Sequence, residues 1–264
     1  MGILNVTPDS FSDGGHFLDA ERAADHARRM LEAGAGMIDV GGESTRPGAA
    51  EVSELEEIRR VIPVIEVLAS RYCVPISVDT SKAAVMTAAV EAGATMINDV
   101  RALREPGALE AAAQTDAAVC LMHMQGQPRT MQLEPHYEDV VAEVKAFLLE
   151  RVAACEAAGI ARDRLVLDPG IGFGKRLPHN LALLAHLPAL AQTELPLLIG
   201  VSRKSMFQEL LGRRVDQRLA GGLAVATAAA LAGAAILRVH DVAETIDAVK
   251  VAQALRAAGY QHAP

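Results

Sequence analysis

Three polar residues each close a short apolar run. Pro75-Ile76-Ser77-Val78 leads to Asp79, Met96-Ile97 to Asn98, and Leu165-Val166-Leu167 to Asp168. Two carboxylates and an amide carbonyl gathered in a dry pocket accept hydrogen bonds from a ligand rich in N–H donors, such as a guanidine-like ring edge. Taken singly, Asp79 and Asp168 read as well as helix caps, and Asp168-Pro169-Gly170 as a turn; the set together favours binding. A second group is cationic. Arg238 and His240, two residues apart, would form with Asn5, Ser44 and Thr45 a seat for phosphate or diphosphate. The metal expected there is Mg²⁺, because its ligands would be oxygens, few of them carboxylates, with diphosphate supplying the rest. His240 alone also reads as a surface histidine beside Asp241, and His123 as a core histidine held by a backbone carbonyl. Lys204, following Arg203, is placed to fix a ring carbonyl, while Ser205 also reads as an N-cap. Gly170-Ile171-Gly172-Phe173-Gly174-Lys175 looks superficially like a phosphate loop but fails the Walker spacing, with Arg176 where Ser or Thr is required. Phe173 would instead wall a flat ligand. No Ser/His/Asp or Cys/His order suggests a nucleophile triad, and no histidines have zinc-type helical spacing.

These residues need a frame that gathers them. One phrase recurs: Glu32-Ala33-Gly34-Ala35-Gly36-Met37-Ile38-Asp39, Glu91-Ala92-Gly93-Ala94-Thr95-Met96-Ile97-Asn98 and Leu231-Ala232-Gly233-Ala234-Ala235-Ile236-Leu237-Arg238. In each, an Ala-rich helix meets a glycine suited to a left-handed C-cap, an apolar strand follows, and a polar residue falls five positions after the glycine. Further strands end at Asn5, Asp79, His123, Asp168 and Ser202, giving eight. Helical spacing separates them, as in Val140, Val141, Val144, Phe147, Leu148 and Val152. Eight alternating units over one domain, residues 1–264, predict an α/β fold of the (β/α)₈ TIM-barrel type, with an open doubly wound sheet as the alternative. The site then lies at the C-terminal strand ends, among Asn5, Asp39, Asp79, Asn98, His123, Asp168, Ser202 to Lys204, Arg238 and His240. Loop 1 (residues 7–15) and loop 2 (residues 41–48) are long, polar and rich in Gly and Pro, as mobile lids are.

Composition narrows the function. The 264 residues are 51% hydrophobic and carry a formal net charge of −8, which argues against a general binder of nucleic acid or anionic membranes. Five Phe, three Tyr and no Trp leave little for base stacking. Three cysteines without metal-type spacing predict a reduced, cytoplasmic setting, and neither a leader nor a membrane-length apolar run is read.

The motifs resemble those of the dihydropteroate synthase family. Met1-Gly2-Ile3-Leu4-Asn5-Val6-Thr7-Pro8-Asp9-Ser10-Phe11-Ser12-Asp13-Gly14-Gly15 is similar to its first signature and Gly41-Gly42-Glu43-Ser44-Thr45-Arg46-Pro47-Gly48 to its second. Ser77-Val78-Asp79-Thr80, Ile97-Asn98-Asp99-Val100, Met122-His123-Met124-Gln125-Gly126, the segment Leu167 to Lys175, Gly200-Val201-Ser202-Arg203-Lys204-Ser205 and Arg238-Val239-His240-Asp241-Val242 continue it in order. A hairpin that usually precedes the first signature is expected to be absent, since strand one starts at the first residue. The resemblance implies condensation of 6-hydroxymethyl-7,8-dihydropterin diphosphate with 4-aminobenzoate to 7,8-dihydropteroate and diphosphate. It implies that Asp79, Asn98, Asp168 and Lys204 hold the pterin edge, with Met122, Phe173 and Arg238 sandwiching its ring. Asn5 would bind Mg²⁺, with Thr45, Arg238 and His240 around the diphosphate. Phe11, Pro47, Lys204 and Ser205 would border the aminobenzoate slot, where sulfonamides compete in this family. Asp13 would face a pterinylmethyl cation and Arg46 would hold the loops shut, so the catalytic set is Asp13, Arg46, Lys204, Arg238 and His240. A homodimer is implied, for which the stretch Leu219 to Leu231 offers a face, unless it lines the barrel instead. The other readings are a pterin-dependent methyltransferase and a non-catalytic pterin-binding homologue.

Overall fold

The computed structural model describes residues 1–6, 16–44, 51–126, 131 and 133–260. Among them the eight expected strands appear: β1 (Gly2–Asn5), β2 (Ile38–Gly41), β3 (Ile76–Asp79), β4 (Met96–Asp99), β5 (Ala118–Met122), β6 (Leu165–Asp168), β7 (Leu198–Ile199) and β8 (Ile236–Leu237). Helices follow each: α1 (His16–Glu32), α2 (Glu54–Arg71), α3 (Ala83–Glu91), α4 (Ala108–Ala113), α5 (Val140–Ala157), α6 (Leu177–Ala185) and α7 (Leu187–Ala191), α8 (Met206–Leu211) and α9 (Leu219–Leu231), and α10 (Val242–Ala257).

β1 to β6 pair in parallel and in sequence order, and β7 pairs with β8. Two bridges join these sheets. Leu167 of β6 lies opposite Leu197, and Gly2 of β1 opposite Val239, both parallel. The Val239 carbonyl accepts from Ile3 N–H at 2.9 Å, and Val239 N–H donates to the Met1 carbonyl at 3.0 Å. The strands therefore run β1 to β8 and back to β1. An open doubly wound sheet would reverse its strand order part-way, and this one does not.

Alternation along buried strands sorts side chains into two layers. Leu4, Ile38, Val40, Ile76, Val78, Ile97, Val119, Leu121, Leu165 and Leu167 face the helices and join the main core. Met96, Cys120, Val166 and Leu198 face inward and, with Met1, Met37, Ala118 and Ile236, fill the lumen. Above that plug, the inward positions turn polar. The α5 helix shows the local logic: Asp139 accepts from the N–H groups of Val141 and Ala142 at 3.0 Å, and Val140, Val144, Leu148, Val152 and Cys155 bury one stripe.

Candidate active site

The last inward residue of each strand lines one mouth. The three polar residues of the repeated phrase meet there. Arg238 donates from Nε to Asp39 Oδ2 and from an Nη nitrogen to Asp79 Oδ2, both at 2.6 Å. Asn98 Nδ2 lies 3.4 Å from Asp39 Oδ2. Arg238 thus stands inside the acidic group rather than across from it. The reason is register: β2 and β3 present Asp39 and Asp79 inward, and a guanidinium fork spans both carboxylates. Asp168 accepts the Gly170 N–H at 2.7 Å.

Burial sets the electrostatics. It pushes the Asp79 carboxyl up to about 7, against the pull of Arg238. It raises Asp168 as well, opposed by the Gly170 N–H and by Lys204, Lys175 and Arg238. The Lys204 ammonium is pushed down to about 8 by desolvation, although Asp168 holds its proton. Lys204 Nζ stands 3.9 Å from the centre of the Phe173 ring. Phe173 packs in turn on a patch of Val100, Met122, Met124 and Met131. One side of the mouth is therefore a polar rim of Asp39, Asp79, Asn98 and Asp168, and the other an apolar wall.

His240 lies at the rim, its Nδ1 3.1 Å from Ser202 Oγ, which also accepts the His240 backbone N–H at 3.2 Å. Asn5 and His240 line a cleft of about 540 Å³ together with Arg203 and the α1 residues Arg22, Asp25, His26 and Arg29. Ser205 occupies the N-cap position of α8 but makes no side-chain capping bond. Loop 2 is anchored at its base: Lys82 pairs with Glu43 and the buried Glu57, and Arg60 donates to the Gly42 carbonyl at 3.0 Å. Phe11, Asp13, Thr45, Arg46 and Pro47 lie outside the described residues.

Two residues assigned no role from sequence prove central. Asp39 was visible as a polar residue ending an apolar run. Lys175 shows in sequence only as the end of the failed Walker pattern. It is 3% exposed, and its ammonium lies 2.9 Å from His123 Nδ1. His123 is accordingly a buried neutral histidine, held down to about 3 by desolvation and by Lys175.

A family model described as pterin binding enzyme matches residues 1–240. The dihydropteroate synthase of Escherichia coli K12 is 59% identical over 254 residues, covering 96% of this chain and 90% of the relative. The chain belongs to the dihydropteroate synthase family. The synthase of Haemophilus influenzae is 54% identical, covering 96% of this chain and 92% of its own length. Among solved dihydropteroate synthases, that of Yersinia pestis with a sulfonamide drug superposes with a TM-score of 0.93 at 59% identity, covering 97% of this chain and 94% of that one. The Xanthomonas albilineans synthase in complex with 7,8-dihydropteroate superposes with a TM-score of 0.88 at 53% identity, covering 97% and 93%. As a dihydropteroate synthase, the protein is a transferase of folate biosynthesis.

Proposed function

We propose that the mouth of this barrel joins 6-hydroxymethyl-7,8-dihydropterin diphosphate to 4-aminobenzoate by a dissociative displacement. The observation that carries this reading is the convergence of Asp39, Asp79, Asn98, Asp168, Lys204 and Arg238 from six strand ends onto one opening. Asp79, Asn98 and Asp168 accept the N–H donors of the pterin edge, and Lys204 donates to its carbonyl. Met122 and Phe173 cover one ring face. Held along its edge by Asp39 and Asp79, the Arg238 guanidinium keeps a fixed plane for the other. Its remaining N–H donors and His240 take the diphosphate, with Thr45 completing that seat. The cleft beside Asn5 and His240 gives the diphosphate room.

Asn5 is the residue we assign to Mg²⁺. Its exposed side chain offers a neutral oxygen in the cleft that it shares with His240. Mg²⁺ commonly takes few protein oxygens and completes its shell from phosphates and water. Bound there through Asn5, it would neutralise charge on the departing diphosphate.

The chain's own groups do the rest. Arg238 and His240 stabilise the negative charge that develops on the leaving oxygen. The methylene left behind shares its positive charge with the dihydropterin ring, and Asp13 faces it. Arg46 keeps loops 1 and 2 closed, excluding water that would capture the cation. The arylamine, a weak base, then attacks without a strong general base. Phe11, Pro47, Lys204 and Ser205 border its slot. The diphosphate substrate binds first because it organises the loops. We assign the protein to the cytoplasm, on its three free thiols Cys73, Cys120 and Cys155.

The same reading includes a homodimer. Ala226 and Ala229 of α9 are buried and Val225 packs against the core, so one side of that helix lies on the barrel and the other is left open. Leu210, Leu211, Val215 and Leu219 are exposed near it, as are Val251 and Leu255 on the neighbouring α10.

Diphosphate release tests the reaction. Purified protein with the dihydropterin diphosphate and Mg²⁺ should release diphosphate over many turnovers only when 4-aminobenzoate is present, and in step with dihydropteroate; without the amine at most one equivalent per site should leave. Sustained release that ignores 4-aminobenzoate would overturn the proposal.

A further inference from the structure

Lys175 is a buried cation whose nearest partners are not carboxylates. Its Nζ donates to the Gly170 and Phe173 carbonyls at 2.9 Å each, lies 3.3 Å from the His123 carbonyl, and sits 2.9 Å from His123 Nδ1. Among the described residues no carboxylate forms an ion pair with it. Burial lowers the Lys175 ammonium to about 7, against the pull of Asp168; while it keeps its third proton it has no lone pair, and His123 Nδ1 then accepts, with the ring hydrogen on Nε2. Placing a charge in such a site costs several kcal/mol unless every hydrogen is used. Four acceptors around three hydrogens meet that condition.

The partners belong to two elements. Gly170 and Phe173 lie on the turn between β6 and α6, and His123 follows β5. The ammonium therefore stitches the turn to the neighbouring strand end. The same turn is held from outside by Tyr137, whose hydroxyl donates to the Gly174 carbonyl at 2.7 Å, and by Asn180, which accepts the Gly172 N–H at 2.7 Å. Phe173 is the side chain this clamp presents to the mouth, against Met122 and beside Lys204.

We propose that Lys175 is a positioning residue for pterin binding: by fastening the Gly170 and Phe173 carbonyls to His123, it fixes the Phe173 ring as the wall of the pterin pocket. This rests on the pterin reading of the site. Lys175 itself does not touch substrate.

A double-variant cycle on the full chain tests it. Phe173→Ala, Lys175→Met and the pair are compared by KM for the dihydropterin diphosphate, with KM for 4-aminobenzoate as control. Each single change should raise the pterin constant about tenfold and leave the other within about twofold. The pair should rise about tenfold to twentyfold rather than about a hundredfold, because without the wall Lys175 has nothing left to hold. Additive effects, an unchanged Lys175→Met enzyme, or a parallel rise of both constants would overturn the positioning role and leave the pterin site standing. An unchanged pterin constant in Phe173→Ala would remove the wall itself, and the pterin reading of that residue with it. Should Lys175→Met fail to fold, Lys175→Gln, which keeps N–H donors without the charge, enters the same cycle with a smaller rise and the same non-additivity expected.

Discussion

Charge at the mouth is close to balanced. Asp39, Asp79 and Asp168 face Arg238 and Lys204, with Lys175 buried behind the turn, an arrangement suited to a neutral flat ring held by hydrogen bonds rather than to an ion. The cost of burying these groups appears in Asp79, raised from 3.8 to about 7 by desolvation despite Arg238. A folded-state value above the unfolded one means that the native protein binds this proton more tightly. The stability Asp79 contributes is thus fully present below about pH 4 and is lost as pH climbs towards 7. In the proposed complex the carboxylate must accept from the pterin edge, so binding below pH 7 expels a proton. Affinity for the pterin substrate should rise with pH up to about 7 as Asp79 gives up its proton, and fall again above about 8 as Lys204 loses the one it donates. Titration calorimetry in buffers of different ionisation heat reads the protons released directly, and Asp79→Asn should lower the slope to what Asp168 contributes. A flat affinity profile in the unaltered protein would take Asp79 off the ring edge.

Among the elements, the β6–α6 turn carries the tightest steric demand. Gly174 has φ +60°, and a Cβ placed there would lie 2.4 Å from the Gln125 carbonyl oxygen. At Gly170, φ is +67° and the added carbon would meet the His123 carbonyl oxygen at 1.9 Å. These contacts exist because the turn lies flat on the end of β5, where Lys175 reaches across. Gly174→Ala should cost about 2 kcal/mol of stability in urea unfolding, from left-handed backbone and displaced neighbours together. Pterin KM should rise with it. Unaltered stability would mean that the turn can lift from β5 without penalty. The strands themselves were legible in sequence because burial on both faces makes them apolar and a single polar residue marks where each emerges. β7 and β8 proved shorter than the apolar runs around them, two residues each, since regular pairing covers only Leu198–Ile199 and Ile236–Leu237.

At the scale of the molecule, closure between β8 and β1 brings the cationic end of the chain beside its first residues. Val239 pairs with Gly2, so Asn5 and His240 share one cleft although they are far apart in sequence. The apolar outer face of α9 and α10 is the other large-scale feature. If it is the dimer contact, sedimentation should give twice the chain mass of 27.8 kDa. Leu255→Glu, at a position 43% exposed in the single chain, should shift the protein to monomer and remove the concentration dependence of its melting temperature. A 27.8 kDa species at every concentration would end the dimer assignment.

Local rules in the sequence determined the fold class, the strand ends and the polar residues they carry, because alternation and glycine-terminated helices act over a few positions. The repeated phrase even named three residues that meet, Asp39, Asn98 and Arg238. Which groups bond to which was decided only in three dimensions. Arg238 is 199 residues from Asp39 and 159 from Asp79, so nothing local could pair them. Lys175 likewise shows in sequence only as the end of a glycine-rich segment that fails the Walker spacing. Its burial against His123, 52 residues away, follows from β5 and β6 lying side by side in the barrel.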